Sequence, residues 1–194
     1  LYIIRRKFGD FVPVFQFAVW KDFLARSAPM AMGMIFGVLY FRLDIMMLQL
    51  MTEEKVVGFY SAAYKLFEVS VVFPHSFMVV LFPTLVEEHH SDQILFKKRF
   101  KKVIAIFSLI GGSIALVLWG FSHEIIKMIY GDKFFPSAQI LDVLAASTFL
   151  FFISFLLSHV LIASGREKVN TWNLVGVVAL NITLNLAWIP QYGA

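Results

Sequence analysis

Apolar residues fall along this chain in five long runs separated by short polar breaks, and each run is too long for a strand. The runs extend from about Ala28 to Met51, Val57 to Val86, Val103 to Phe121, Ile140 to Ala163 and Trp172 to Ile189. About 20 apolar residues in a helix cross a hydrocarbon layer of about 30 Å. The pattern therefore predicts an all-α fold, a polytopic transmembrane helix bundle of about five spans.

The breaks carry their own signals. Residues 1–26 mix Arg5, Arg6, Lys7, Lys21 and Arg26 with Phe8, Phe11, Phe15, Phe17 and Trp20, as an interfacial amphipathic segment does, and Gly9 and Pro13 argue against one continuous helix there. Thr52 to Lys55 reads as a polar turn. Pro74 and Pro83 are expected to bend the second run or break its hydrogen-bond ladder. EEHHSDQILFKKRFKK, at 87–102, is the most polar stretch and reads as a solvated loop. HEIIKMIYGDKFFPSAQ reads as a connector with turns at Gly131 and Pro136, and ASGREKVNTW as the loop before the last span.

Composition agrees with a bilayer as the solvent: 59% of residues are hydrophobic, 22 are Phe and only 15% are charged, beyond ordinary globular usage. The net charge of +4 does not point to nucleic acid, because the basic residues sit between apolar spans. With the amino-terminal segment inside, Arg5, Arg6, Lys7, Lys21, Arg26, Lys97, Lys98, Arg99, Lys101, Lys102, Arg166 and Lys168 face the cytoplasm, and only Lys55, Lys127 and Lys133 lie outside. That asymmetry is the positive-inside bias of a cell-membrane protein. The absence of Cys excludes disulfides and thiolate metal sites. The chain starts at Leu1 and stops after an apolar run, and reads as an internal fragment.

Charge at the bilayer interior costs at least about 2.5 to 3.5 kcal/mol per residue, so a span that keeps it turns it toward a cavity or a partner. Arg42 and Asp44 in the first span and Lys65 and Glu68 in the second are such residues. A rise of about 1.5 Å per residue sets all four at one depth, roughly 4 to 10 Å above the midplane. Lys65 and Glu68, three apart, share a face and can pair, whereas Arg42 and Asp44 point to different sides of their helix. Two readings stand: a structural ion-pair cluster that lets the helices pack, or direct handling of substrate or ion. Arg42 and Lys65 suit a phosphate, as a planar fork and a flexible point charge. Asp44 and Glu68 are the groups that could titrate and couple to H+ or Na+.

Other polar positions have quieter explanations. Tyr60 and Tyr64 could line a polar cavity or belong to an aromatic belt. His75, beside Pro74, could relay protons but is expected to bond a carbonyl that the proline frees. Asn181 and Asn185, four apart on one face, line a cavity or glue helices together. His89 and His90 beside Glu87, Glu88 and Asp92 lack helical ligand spacing, so no metal site is expected. The 97–102 basic run orients the chain and can meet anionic headgroups. No nucleophile elbow, phosphate-binding glycine loop, HExxH or dinucleotide fingerprint occurs, so an enzyme is not indicated and no organic cofactor is expected.

Several strings together carry a resemblance: SAPMAMGMIFGVLYFRLDIMML at 27–48, VGFYSAAYKLFE at 57–68, FPHSFMVVLFPTL at 73–85, YGDKFFPSAQIL at 130–141 and IPQYGA at 189–194. They resemble the oligosaccharide flippases of the polysaccharide biosynthesis family, within the multidrug/oligosaccharidyl-lipid/polysaccharide exporter superfamily. The resemblance implies half of a two-lobed transporter, with a cytoplasmic amphipathic linker over 1–26 and a partial carboxy-terminal lobe over 27–194. It implies translocation of an undecaprenyl-pyrophosphate-linked oligosaccharide by alternating access, with membrane lipids and a missing amino-terminal lobe as partners. By position it carries over to Arg42 and Asp44 in the FRLD string and Lys65 in the AAYKLFE string. A multidrug or metabolite antiporter of related architecture and a membrane-embedded polymerase or transferase are the competing readings. An exporter of cations would present mainly acidic residues, and a transferase a sizeable polar loop.

Overall fold

A computed structural model describes residues 16–192 of the chain. Within them lie six α-helices, one short 3-10 helix and no strand: α1 Phe17–Met51, α2 Glu54–Ser91, α3 Gln93–Gly120, α4 Ser122–Tyr130, the 3-10 turn Asp132–Phe134, α5 Pro136–Ala163 and α6 Glu167–Tyr192. All but α4 and the 3-10 turn are long and apolar enough to cross a membrane, so the fold is an all-α polytopic bundle. Of the amphipathic segment, residues 1–15, with Gly9 and Pro13, lie outside the described residues, as do Gly193 and Ala194 at the other end.

The helices outrun the apolar stretches that predict them. α1 begins at Phe17 and runs without a break past position 28. At 38 residues α2 is about 57 Å long, well over a hydrocarbon thickness. Both prolines lie inside it, so Pro74 and Pro83 do not break the helix. A lost amide bond at a proline is tolerated where neighbouring helices hold the segment, and Pro74 is itself buried.

The stretch expected as a loop at 87–102 is helical apart from Asp92. Asp92 caps α3 by accepting hydrogen bonds from the amides of Ile94 and Leu95, each at 2.9 Å, so a single residue turns the chain. The connector at 123–139 also contains structure: α4 packs Ile126 against Ala63, Ala138 and Leu141. The turns expected there are present, with Gly131 at φ +81° and Pro136 opening α5. Gly165, at φ +69°, likewise ends α5 in the left-handed conformation that glycine adopts without strain.

The helices form two unequal groups. α5 packs along both α2 and α3, and α1 packs chiefly on α6. The first group holds the main core, in which Phe67, Met78, Leu85, Phe107, Phe152 and Leu156 are buried together. Helices surrounded by lipid gain nothing by merely hiding apolar surface, so close approach matters more. Gly111 provides it: a Cβ there would meet Phe152 at 2.8 Å, inside contact distance. Between α1, α2 and α6 the apolar contact is thinner, centred on Leu48, Val57 and Ile189.

Candidate functional site

The thin interface is where the intramembrane polar residues meet. Asp44 points from α1 into the angle between α2 and α6. Its Oδ1 accepts from Asn181 Nδ2 at 2.8 Å and from Asn185 Nδ2 at 2.7 Å, and its Oδ2 accepts from the Tyr60 hydroxyl at 3.3 Å. Asn185 also donates to Asn181 Oδ1 at 3.2 Å. The i, i+4 spacing of the two asparagines puts both amides on one face of α6, within reach of one carboxylate. Asp44 has no cation at ion-pair distance among the described residues. Its charge is met by neutral donors.

Arg42, two residues earlier on α1, turns toward α2 instead. Arg42 Nη1 lies 3.7 Å from Glu68 Oε1, and Lys65 Nζ lies 3.1 Å from Glu68 Oε2. The expected local pair of Lys65 and Glu68 thus forms, and one carboxylate sits between two cations. The side chains of Arg42 and Lys65 remain 57% and 69% exposed, against 26% for Glu68. The four charges therefore divide into a carboxylate held inward and an outward face with one positive charge in excess.

Tyr60 and Tyr64 join the two halves. Their rings stack at 5.7 Å and 19°. Tyr64 is buried, and its hydroxyl donates to the carbonyl of Phe41 at 2.8 Å, one residue before Arg42. It pins α2 to α1. The structure thus brings together Arg42, Asp44, Tyr60, Tyr64, Lys65, Glu68, Asn181 and Asn185.

His75 stays apart. It is exposed, takes no hydrogen bond among the described residues and rests its ring 6.1 Å from Phe155. The bond to a proline-freed carbonyl expected of His75 is therefore absent; His159 instead donates through Nδ1 to the Phe155 carbonyl at 2.8 Å, four residues back along α5. His89 and His90 lie in the last turn of α2 and not in a loop. Among the described residues no group of three His, Asp or Glu could hold a metal ion.

Two polar links have no counterpart in the sequence reading. Glu88 is buried near the end of α2 and is gripped by Arg99 of α3, with Nε at 2.6 and 2.7 Å from its two oxygens and Nη2 at 2.5 Å from Oε1. Ser158 of α5 donates to Asn170 Oδ1 of α6 at 2.6 Å. The first was open to detection: Met78, Leu81, Leu85 and Glu88 are spaced three and four apart, so Glu88 continues the buried face. The second carried no such signal.

No curated protein and no solved structure matches this chain. The amino-terminal part does match a family model, and it includes every polar residue of the site on α1 and α2 but neither asparagine of α6. Residues 1–89 match the family described as "Polysaccharide biosynthesis protein", which is consistent with the resemblance its sequence strings carry.

Proposed function

We propose that this chain forms most of one lobe of a transporter that flips a lipid-linked oligosaccharide across the cell membrane by alternating access. Arg42 and Lys65 receive the pyrophosphate that joins lipid to sugar, here expected to be undecaprenyl-linked. The observation that carries this reading is the exposed excess positive charge within two helices long and apolar enough to span a membrane: two cations around a single Glu68, both presenting most of their side chains outward. Guanidinium and ammonium together suit the crowded oxygens of a pyrophosphate. Glu68 holds both in place while the site is empty, and a pyrophosphate offering more negative charge competes for them.

Asp44, with Asn181 and Asn185, is the coupling element in this scheme. A carboxylate that ties α1 to α6 through its own lone pairs loses acceptors when it binds a proton, and turning an amide over offers carbonyl oxygens to Na+ instead. Either event changes how α1 sits on α6. An antiporter for cationic drugs would want the carboxylates outermost, the reverse of the exposures found here.

The test uses the full-length protein in cells that depend on it for surface polysaccharide. Arg42→Ala and Lys65→Ala are each expected to abolish most surface glycan at matched protein levels, with lipid-linked precursor accumulating on the cytoplasmic side. Normal glycan in both variants would remove these residues from the mechanism.

A further inference from the structure

α2 and α3 splay apart above their single-residue turn because α5 packs along both, and on their other side they leave a groove of about 510 Å³ to which α5 contributes no residue. The groove is strongly polarised along its length. At the end near Asp92 it is lined by Arg99 and Lys102, and farther along by Phe77, Val80, Leu81 and Ile106. From Arg99 to Ile106 is seven residues, about 10 Å along the helix.

The cations are not equivalent. Arg99 spends its Nε and Nη2 on Glu88, while its Nη1 and the ammonium of Lys102 have no protein partner among the described residues. Glu88 cancels the charge of Arg99, so the groove retains one uncompensated positive charge, at Lys102, with extra donors beside it. Below that point no further charged side chain lines it. A single negative charge with phosphate oxygens, continued by a long apolar tail, complements such a shape.

We infer that this groove holds an anionic phospholipid, its phosphate at Lys102 and Arg99 Nη1 and an acyl chain along Val80 and Ile106. Basic pockets between membrane helices on the positively flanked side capture such headgroups, and a mostly apolar cleft with few placed polar groups is the usual form of a small-molecule site. The groove is separate from the site around Lys65, which lies 15 residues, about 22 Å, up α2 from Val80. The lipid here is a bound component and not the cargo, and the inference does not depend on the flippase reading.

The test is lipid retention by the purified full-length protein. Offered equal phosphatidylglycerol and phosphatidylcholine in detergent, the protein should retain phosphatidylglycerol preferentially, counted by native mass spectrometry. Lys102→Ala should lower that retention about fivefold, the effect of one headgroup-facing cation, whereas Lys97→Ala, nearly opposite on α3, should leave it unchanged. Val80→Trp should displace the lipid with no change in charge. Should that variant not fold, Val80→Cys is labelled with a thiol reagent, and phosphatidylglycerol but not phosphatidylcholine should protect it. Equal losses from Lys97→Ala and Lys102→Ala, no preference between the two lipids, full competition by glycerophosphate without a tail, or a Val80→Cys site closed to reagent after delipidation would each overturn the proposal. The last would mean that another part of the protein covers the groove.

Discussion

The two groups of helices are held by different physics. In α2, α3 and α5 the contacts are close and apolar, and 33% of the apolar window of α5 is buried. In α1 the corresponding share is 6%, and beside the small apolar contact of Leu48, Val57 and Ile189 its attachment to α2 and α6 runs through Asp44, Tyr60, Tyr64, Asn181 and Asn185. Packed side chains resist any displacement, because dispersion falls steeply with distance. Hydrogen bonds to one carboxylate can be exchanged for others of similar strength, since polar links between membrane helices average only about 0.6 kcal/mol each. The transporter proposed above needs one body that keeps its shape and one joint that can change, and this chain has a candidate for each.

Four substitutions in the full-length protein probe that contrast, ranked by their expected effect on stability. Phe152→Ala opens a cavity against Phe107 and Gly111 and should cost about 3 to 5 kcal/mol, measured by thermal or denaturant unfolding in detergent. Gly111→Ala forces a Cβ onto Phe152 and should cost about 1 to 3 kcal/mol; a neutral result would show that α3 and α5 can slide apart easily. Asn185→Ala removes one donor to Asp44 and should cost about 0.6 kcal/mol, and no more than about 1.7. If it matched Phe152→Ala, the polar joint would be as rigid as the core and the comparison would fail. Lys65→Ala, an exposed change, should move stability by less than about 0.5 kcal/mol, yet surface glycan should fall the most. Asp44→Asn sharpens the same contrast: it keeps the shape of the joint, and vesicle transport should lose its dependence on an imposed H+ or Na+ gradient.

Much of the fold was legible because membrane helices must satisfy every backbone group internally, so an apolar run of sufficient length has one solution. The five spans followed from that. Helix ends did not, because polarity at 87–102 marks departure from the hydrocarbon and not departure from helix. Glu88 stays helical with its charge met by Arg99, and Lys97, Lys98 and Lys101 are simply exposed.

The candidate site was legible in its parts. Charge within a span singled out Arg42, Asp44, Lys65 and Glu68, and i, i+4 spacing paired Asn181 with Asn185. That α6 packs on α1, bringing those asparagines to Asp44 across 137 and 141 residues of sequence, is a property of tertiary arrangement that no local pattern encodes. His75 misled for a related reason: its neighbour Pro74 frees a carbonyl, but the exposed imidazole does not turn to it and rests against Phe155 of α5.

The turn at Asp92 makes the α2–α3 hairpin a ruler with no slack. Each added or deleted residue rotates a helix by about 100° and shifts it by about 1.5 Å. A one-residue insertion after Asp92 would therefore swing Arg99 away from Glu88 and Phe107 away from Phe152 in a single step. Homologous proteins that share this hairpin should tolerate substitutions along its outer faces far more readily than a change of one in its length.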